Sequence, residues 1–238
     1  MSNRTILQKA FIKSLPVMAA YVVLGMGFGI LMSDKGYGPL WAIACSIFIF
    51  AGSMQYVTVD LLAVSAPLVQ AAMMTVMVNA RHLFYGISMI GKYRNMKKFK
   101  PYLIFGLTDE TYSLLCDEKD YPSSEPEKAE LYCFFVTLFN QCYWVCGTAI
   151  GAILGAVFSF NSKGIDFSMT ALFVTIFVEQ WITSQEHRPA LAGLGASMLC
   201  LIVFGSSAFL IPAMLLITVL VSVPYAYKAR RGEGDPEK

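Results

Sequence analysis

Long apolar runs without a single charged residue, at positions 41–51, 131–158 and 191–223, constrain this chain more than any other feature. A helix needs about 20 predominantly apolar residues to cross the hydrocarbon core of a bilayer. Soluble domains average about 45–50% apolar and about 25% charged residues. Here the figures are 56% and 14%, so lipid, not water, is the expected solvent of most of the chain. The fold class expected is an all-α polytopic membrane protein, a single transmembrane domain over residues 1–238.

Apolar length places candidate spans at residues 15–33, 39–63, 67–91, 131–158, 168–181, 189–204 and 206–225. That gives about six to seven transmembrane helices, the first read as a permanent span and not as a cleaved leader. Two stretches do not fit a plain crossing. Residues 39–63 are interrupted by Ala51-Gly52-Ser53, and 101–116 is short and carries Thr108-Asp109-Glu110. Stretches 25–55 and 151–180 share one order, a glycine-rich span, a polar loop, then an apolar helix, which makes them a candidate internal repeat.

Lys and Arg set orientation. They gather at the N-terminus (Arg4, Lys9, Lys13), in Lys92, Arg94, Lys97, Lys98 and Lys100, and in the tail at Lys228, Arg230 and Arg231. All three clusters are expected on the cytoplasmic side of a bacterial cytoplasmic membrane, with both termini there. A single crossing by 39–63 would put the second cluster outside. A re-entrant or broken helical hairpin with its tip at Ala51-Gly52-Ser53 removes the conflict, and 101–116 is then a half-membrane or interfacial segment. Non-helical backbone at such depth persists only where protein buries it or a wet cavity receives it, and transporters build binding sites from such breaks.

Polar groups within the spans are the best pointers to function, because a charge at the bilayer centre costs about 2.5–3.5 kcal/mol even on insertion scales. Asn79-Ala80-Arg81-His82 falls in the middle of 67–91. Arg81 shares a helical face with Tyr85 and Ser88, and Asn79, His82 and Gly86 form an adjoining one. Pairing of Arg81 with Asp109 or Glu179, as a purely structural lock, is the competing reading. Gly52, Ser53 and Gln55 offer close backbone approach and hydrogen bonds, and Asp109 and Glu110 offer a seat for a proton, cation or amine. Gly147, Gly151 and Gly155 form a small-residue stripe suited to close helix packing. The six cysteines show neither C-x-x-C nor zinc spacing and read as small buried apolar residues. No cofactor or metal is expected, and a net charge of +2 gives no basic stripe for nucleic acid.

In order and spacing, Phe50-Ala-Gly-Ser-Met-Gln55, Asn79-Ala-Arg-His-Leu-Phe-Tyr-Gly86, Leu107-Thr-Asp-Glu-Thr-Tyr112 and Glu179-Gln180-Trp181 resemble the AzlC family, over nearly the whole chain from about Phe11 to Tyr225. That family comprises the larger permease subunits of bacterial two-component branched-chain amino-acid exporters. The resemblance implies export of branched-chain amino acids or analogues such as azaleucine, with a small hydrophobic AzlD-type membrane subunit as partner. Ala80 stands where the family more often has Leu. A zwitterionic substrate needs an anion site and a cation site. Arg81 with the amides around Gly52-Ser53 suits the carboxylate, and Asp109 or Glu110 the ammonium. His82 or Glu179 is the candidate for proton coupling. No Walker A pattern occurs, so flux would follow an ion gradient or the substrate's own gradient. The alternative from another class is a non-transporting membrane assembly or sensor protein whose acidic loop at 117–130 recruits a soluble partner.

Overall fold

The computed structural model describes residues 3–116, 125–158 and 187–206, with further positions at 164, 167, 170–171, 174, 177–178, 181–182, 209, 212–213 and 215–220. Every regular element among the described residues is helical. In chain order these are α1 (Asn3–Asp34), α2 (Pro39–Phe48), α3 (Gly52–Ala63), α4 (Leu68–Asn79), α5 (Arg81–Tyr93), α6 (Lys100–Phe105), α7 (Asp109–Cys116), α8 (Pro126–Val157) and α9 (Arg188–Phe204). Four of them, α2, α6, α8 and α9, open with proline in the first turn, where its missing N–H costs nothing. Two compact units divide the chain, Met1–Thr170 and Ala171–Lys238.

In the first unit α1 and α8, 32 residues each, form the scaffold. At about 1.5 Å per residue each is about 48 Å long, beyond the ~30 Å of a hydrocarbon core. Both are apolar enough to cross one, with mean hydropathy 2.0 and 1.3. They run parallel: Phe11 meets Phe139, Tyr21 meets Trp144, and Ser33 donates to Ala152 O (2.8 Å), both residue numbers rising together. The expected stripe Gly147, Gly151 and Gly155 does lie in this contact, and Gly25 and Gly29 answer it from α1. A Cβ added to Gly25 would sit 2.7 Å from Trp144 O, and one on Gly147 2.5 Å from Val22 O. Gly29 and Gly151 leave still less room, against Thr148 O and Met26 O.

Residues 39–63 fold back on themselves. Tyr37 OH donates to Leu62 O (3.3 Å) and Gln55 Nε2 to Ser46 Oγ (3.3 Å), pairs whose midpoints fall on either side of Phe50. The helix stops at Ile49, Phe50 takes φ +39°, and α3 begins at Gly52. The tip is therefore at Phe50-Ala51, one or two residues earlier than the sequence suggests, and Gly52 and Ser53 form the first turn of α3.

Residues 100–116 also return, through Gly106-Leu107-Thr108. The start of α6 meets the start of α8, where Phe99 N donates to Glu130 Oε1 (2.6 Å). The end of α7 is held by Lys92 Nζ, which donates to Leu115 O. Between the two hairpins α4 and α5 form one nearly continuous rod, broken at Ala80, whose φ −53° and ψ −31° remain helical.

One core gathers Ile6 and Ala10 of α1, Met89 and Tyr93 of α5, Leu103 of α6, Leu115 of α7 and Cys133 of α8. The beginning of α1, the end of α5, the open end of the second hairpin and the beginning of α8 thus share one end of the bundle, and the basic cluster at 92–100 joins Arg4, Lys9 and Lys13 there. Elsewhere large apolar residues face outward, among them Leu40 (83% exposed), Phe48 (78%) and Leu68 (88%), as on a surface wetted by lipid. Cysteines depart from expectation: Cys133 and Cys200 are buried, whereas Cys116, Cys142 and Cys146 are exposed. In the second unit α9 is apolar, and His187 stacks edge-on against Trp181, a ring nitrogen 3.0 Å from Trp181 O. The expected spans 168–181 and 206–225, and the basic tail, lie largely or wholly outside the described residues.

Candidate functional site

The three helix interruptions of the first unit converge. Arg81 is the first residue after the break in the α4–α5 rod. Its Nη1 lies 2.5 Å from Asp109 Oδ2 at the start of α7, and its Nη2 donates to Ser53 Oγ at the start of α3. One guanidinium thereby ties together both hairpin tips. Phe50, with its positive φ, packs its ring between Tyr21 (6.5 Å) and Phe105 (6.3 Å). A non-glycine residue held in that backbone region costs of order 1–3 kcal/mol and persists where surrounding packing enforces it.

The two helix starts at this point differ in charge. α7 is capped by Thr108, whose Oγ1 accepts from Thr111 N (3.3 Å), and carries Asp109 and Glu110 in its first turn, where acids complement the helix dipole. α3 has no side-chain cap and no acid in its first turn. Its leading amides, beside Arg81, make the positive corner of the site, and Asp109 and Glu110 make the negative one.

Glu110 turns from Arg81 toward α1. Tyr21 OH donates to its Oε2 (2.7 Å) and lies 2.7 Å from Thr108 Oγ1. Thr108 Oγ1 donates to Thr111 Oγ1 (3.0 Å), which also accepts from Asn140 Nδ2 (3.0 Å). This buried polar network pins the second tip to both scaffold helices. Tyr21 and Asn140 were not among the expected site residues, although Asn140, an amide inside an uncharged apolar run, is the kind of signal that marks such a position. On the other hairpin, Gln55 is fully buried and reaches Thr148 through Ser46, whose Oγ donates to Thr148 Oγ1 (2.8 Å). Gly52 abuts the Trp144 ring, 3.0 Å from where its Cβ would be. Both residues sit against the scaffold.

A cavity of about 630 Å³ opens between the rod and the two hairpins; residues adjoining Arg81 line it, but Arg81 and Asp109 do not. Ile49 to Ala51 of the first tip, Asn79, His82 and Gly86 of the rod, and Ile104, Phe105 and Leu107 around the second hairpin line it, and Arg94 and Lys100 mark its far end. Its walls are mainly apolar. The two faces expected of the rod are separated as the helical spacing requires: Asn79, His82 and Gly86 face the cavity, while Tyr85 stacks on Tyr112 (4.9 Å) and Ser88 lies 3.1 Å from the Tyr112 hydroxyl. His82 Nδ1 lies 3.2 Å from Asn79 O. Asn79 Oδ1 is buried without a hydrogen-bond donor. Gly52, Ser53, Asn79, Arg81, His82, Asp109 and Glu110 thus gather around the two tips. Glu179 lies outside the described residues.

Fold and site together define an α-helical membrane protein with a charged, cavity-flanked centre where broken helices meet. The AzlC protein family model matches residues 16–158. Over 218 residues the chain is 45% identical to the branched-chain amino acid transport protein AzlC of Bacillus subtilis, covering 91% of this chain and 84% of that one. A membrane protein of Haemophilus influenzae is 37% identical (88% and 85% covered), and the inner membrane protein YgaZ of Escherichia coli 25% (94% and 91%). No solved structure matches the chain. The chain belongs to the AzlC family.

Proposed function

We propose that this chain is the permease subunit of a branched-chain amino-acid exporter, working with a small AzlD-type membrane subunit and driven by an ion gradient. The observation that carries the reading is the Arg81–Asp109 pair at two hairpin tips, beside a mainly apolar cavity of about 630 Å³. Ligand pockets commonly fall within about 300–1,000 Å³, apolar with a few placed polar groups. The substrate carboxylate goes to Arg81 and the open amides of α3, the ammonium to Asp109 or Glu110, and the aliphatic side chain to the wall of Ile49, Phe50, Ile104 and Phe105. His82, in the cavity lining, or Glu179 carries the coupled proton. The basic end of the bundle is cytoplasmic, in a bacterial cytoplasmic membrane. Similarity to the branched-chain amino acid transport protein of Bacillus subtilis supports the substrate class.

The test is efflux of preloaded radiolabelled valine, leucine and methionine from cells carrying this chain, with and without the small subunit. Expected is faster efflux that needs the partner and is lost in Arg81→Ala. Unchanged efflux of all three, with both proteins in the membrane, refutes the reading.

A further inference from the structure

At the meeting point of the breaks Arg81 is already paired before any substrate arrives. Arg81 and Asp109 neutralise each other, and their side chains remain 24% and 19% exposed. The pair is reachable and not sealed in the core. On the negative side Asn79 Oδ1 is buried with no hydrogen-bond donor on it, and Asp109, whose Oδ1 lies outside the ion pair, has the Tyr85 hydroxyl as its hydrogen-bonding neighbour. On the positive side the first turn of α3 has neither cap nor acid. Acceptors suited to an ammonium and donors suited to a carboxylate therefore flank one ion pair. Glu110 stands apart, its Oε2 taken by Tyr21 OH at 2.7 Å. Two other titratable groups stand near the pair on α5: Tyr85, which hydrogen-bonds Asp109, and His82, which meets the Tyr85 ring edge-on with centroids 6.0 Å apart.

We propose that the Arg81–Asp109 pair selects substrate by charge balance, parting only for a zwitterion whose carboxylate replaces Asp109 at Arg81 while its ammonium replaces Arg81 at Asp109. The proposal rests on the amino-acid reading above and adds the rule by which the site tells its ligands apart. Exchange with a zwitterion leaves both protein charges compensated. An anion of the same shape, lacking the ammonium, strands Asp109, and an amine lacking the carboxylate strands Arg81. A stranded charge at this depth corresponds to a factor on the order of 100 in binding. It also follows that Asp109→Asn changes the preference instead of merely abolishing binding. The variant leaves Arg81 with an excess charge that an anionic ligand neutralises.

The experiment uses the full-length protein in lipid nanodiscs and three probes with one branched side chain: L-valine, its 2-oxo acid and isobutylamine. Equilibrium binding and melting temperature are read for wild type and Asp109→Asn. Expected for wild type is valine binding at least about 50-fold tighter than either analogue. In Asp109→Asn the 2-oxo acid should gain about tenfold or more and raise the melting temperature, while valine weakens. Wild-type binding of either analogue within about threefold of valine overturns the proposal, and this comparison needs no variant to fold. So does a folded Asp109→Asn that gains nothing for the 2-oxo acid. Failure of wild type to bind any of the three sinks the amino-acid reading itself, and the exchange with it.

Discussion

Gly151→Ala tests the scaffold on which every other element hangs. The added Cβ would lie 2.5 Å from Met26 Cα and 2.6 Å from Met26 C, about 0.9 Å short of the 3.4 Å at which ordinary contact begins. The obstacle is backbone, so no rotamer change relieves it and α1 and α8 must separate. A gap of about 0.5–1 Å forfeits a quarter to a half of each van der Waals contact along the seam. Overpacking of this kind typically costs about 1–3 kcal/mol, partly offset by the ~0.5–1 kcal/mol that alanine gains over glycine in a helix. A net loss of up to about 2.5 kcal/mol is expected. Melting of the purified protein in detergent checks it against Gly91→Ala, a helical glycine with nothing within 4 Å of its would-be Cβ, which should be neutral or stabilising. Trimming the facing side chain with Met26→Ala should not rescue the variant. Equal melting temperatures for Gly151→Ala and Gly91→Ala would refute the close parallel packing.

Tyr21→Phe keeps the ring against Trp144, 5.3 Å between centroids, but removes the donor to Glu110. It should cost about 1–3 kcal/mol, seen as a lower melting temperature, and an unchanged value speaks against the network. Phe50→Ala removes a ring that is 3% exposed and should cost about 3–5 kcal/mol. Phe50→Gly should be the milder of the two despite removing more, because glycine relieves the φ of +39° by about 1–2 kcal/mol. The reverse order in a melting series would show that no strain is stored at the tip.

What the sequence makes legible is what has a period or a boundary. Spans expected to open at Pro39 and Pro189 become α2 and α9, and four-residue spacing announces the stripe on α8, but α8 begins at Pro126, five residues before the expected span and inside the stretch read as an acidic loop. The split of the rod into a cavity face and a Tyr85–Ser88 face follows from helical spacing alone. Charge distribution, not hydropathy, identifies the first hairpin, because residues 39–63 pass as one apolar span. Its tip is misplaced by a residue or two because glycine is the usual turn residue, whereas here Phe50 takes the positive φ and Gly52 is needed for its closeness to Trp144. Gln55 reads as a ligand group from composition; in the fold its Nε2 donates to Ser46 Oγ and its Oε1 is buried without a hydrogen-bond donor. The links from Tyr21 to Glu110 and from Asn140 to Thr111 span 89 and 29 positions. Nothing local in the sequence encodes such pairings; they follow from the packing of α7 against both α1 and α8.

The packing of α1 against α8 also fixes the parity of the topology. If α1 crosses the membrane and α8 crosses it in the same direction, an odd number of crossings must separate them. Three segments are available, 39–63, the α4–α5 rod and 100–116. The bonds from Tyr37 to Leu62 and from Gln55 to Ser46 bring the first back to its side of entry. Glu130 at Phe99 and Lys92 at Leu115 do the same for the third. The rod alone remains, and its 26 residues, at 1.5 Å each, reach about 39 Å. On a cysteine-free background, cysteines at Tyr37 and Leu62 should therefore be labelled by impermeant thiol reagents from one face of the membrane, and cysteines at Lys98 and Lys128 from the other. A short bifunctional reagent should join the Tyr37 and Leu62 positions, which a straight helical crossing would hold about 38 Å apart. Labelling of Tyr37 and Leu62 from opposite faces would make the first segment a true crossing, reverse α8 relative to α1, and break the glycine seam between them.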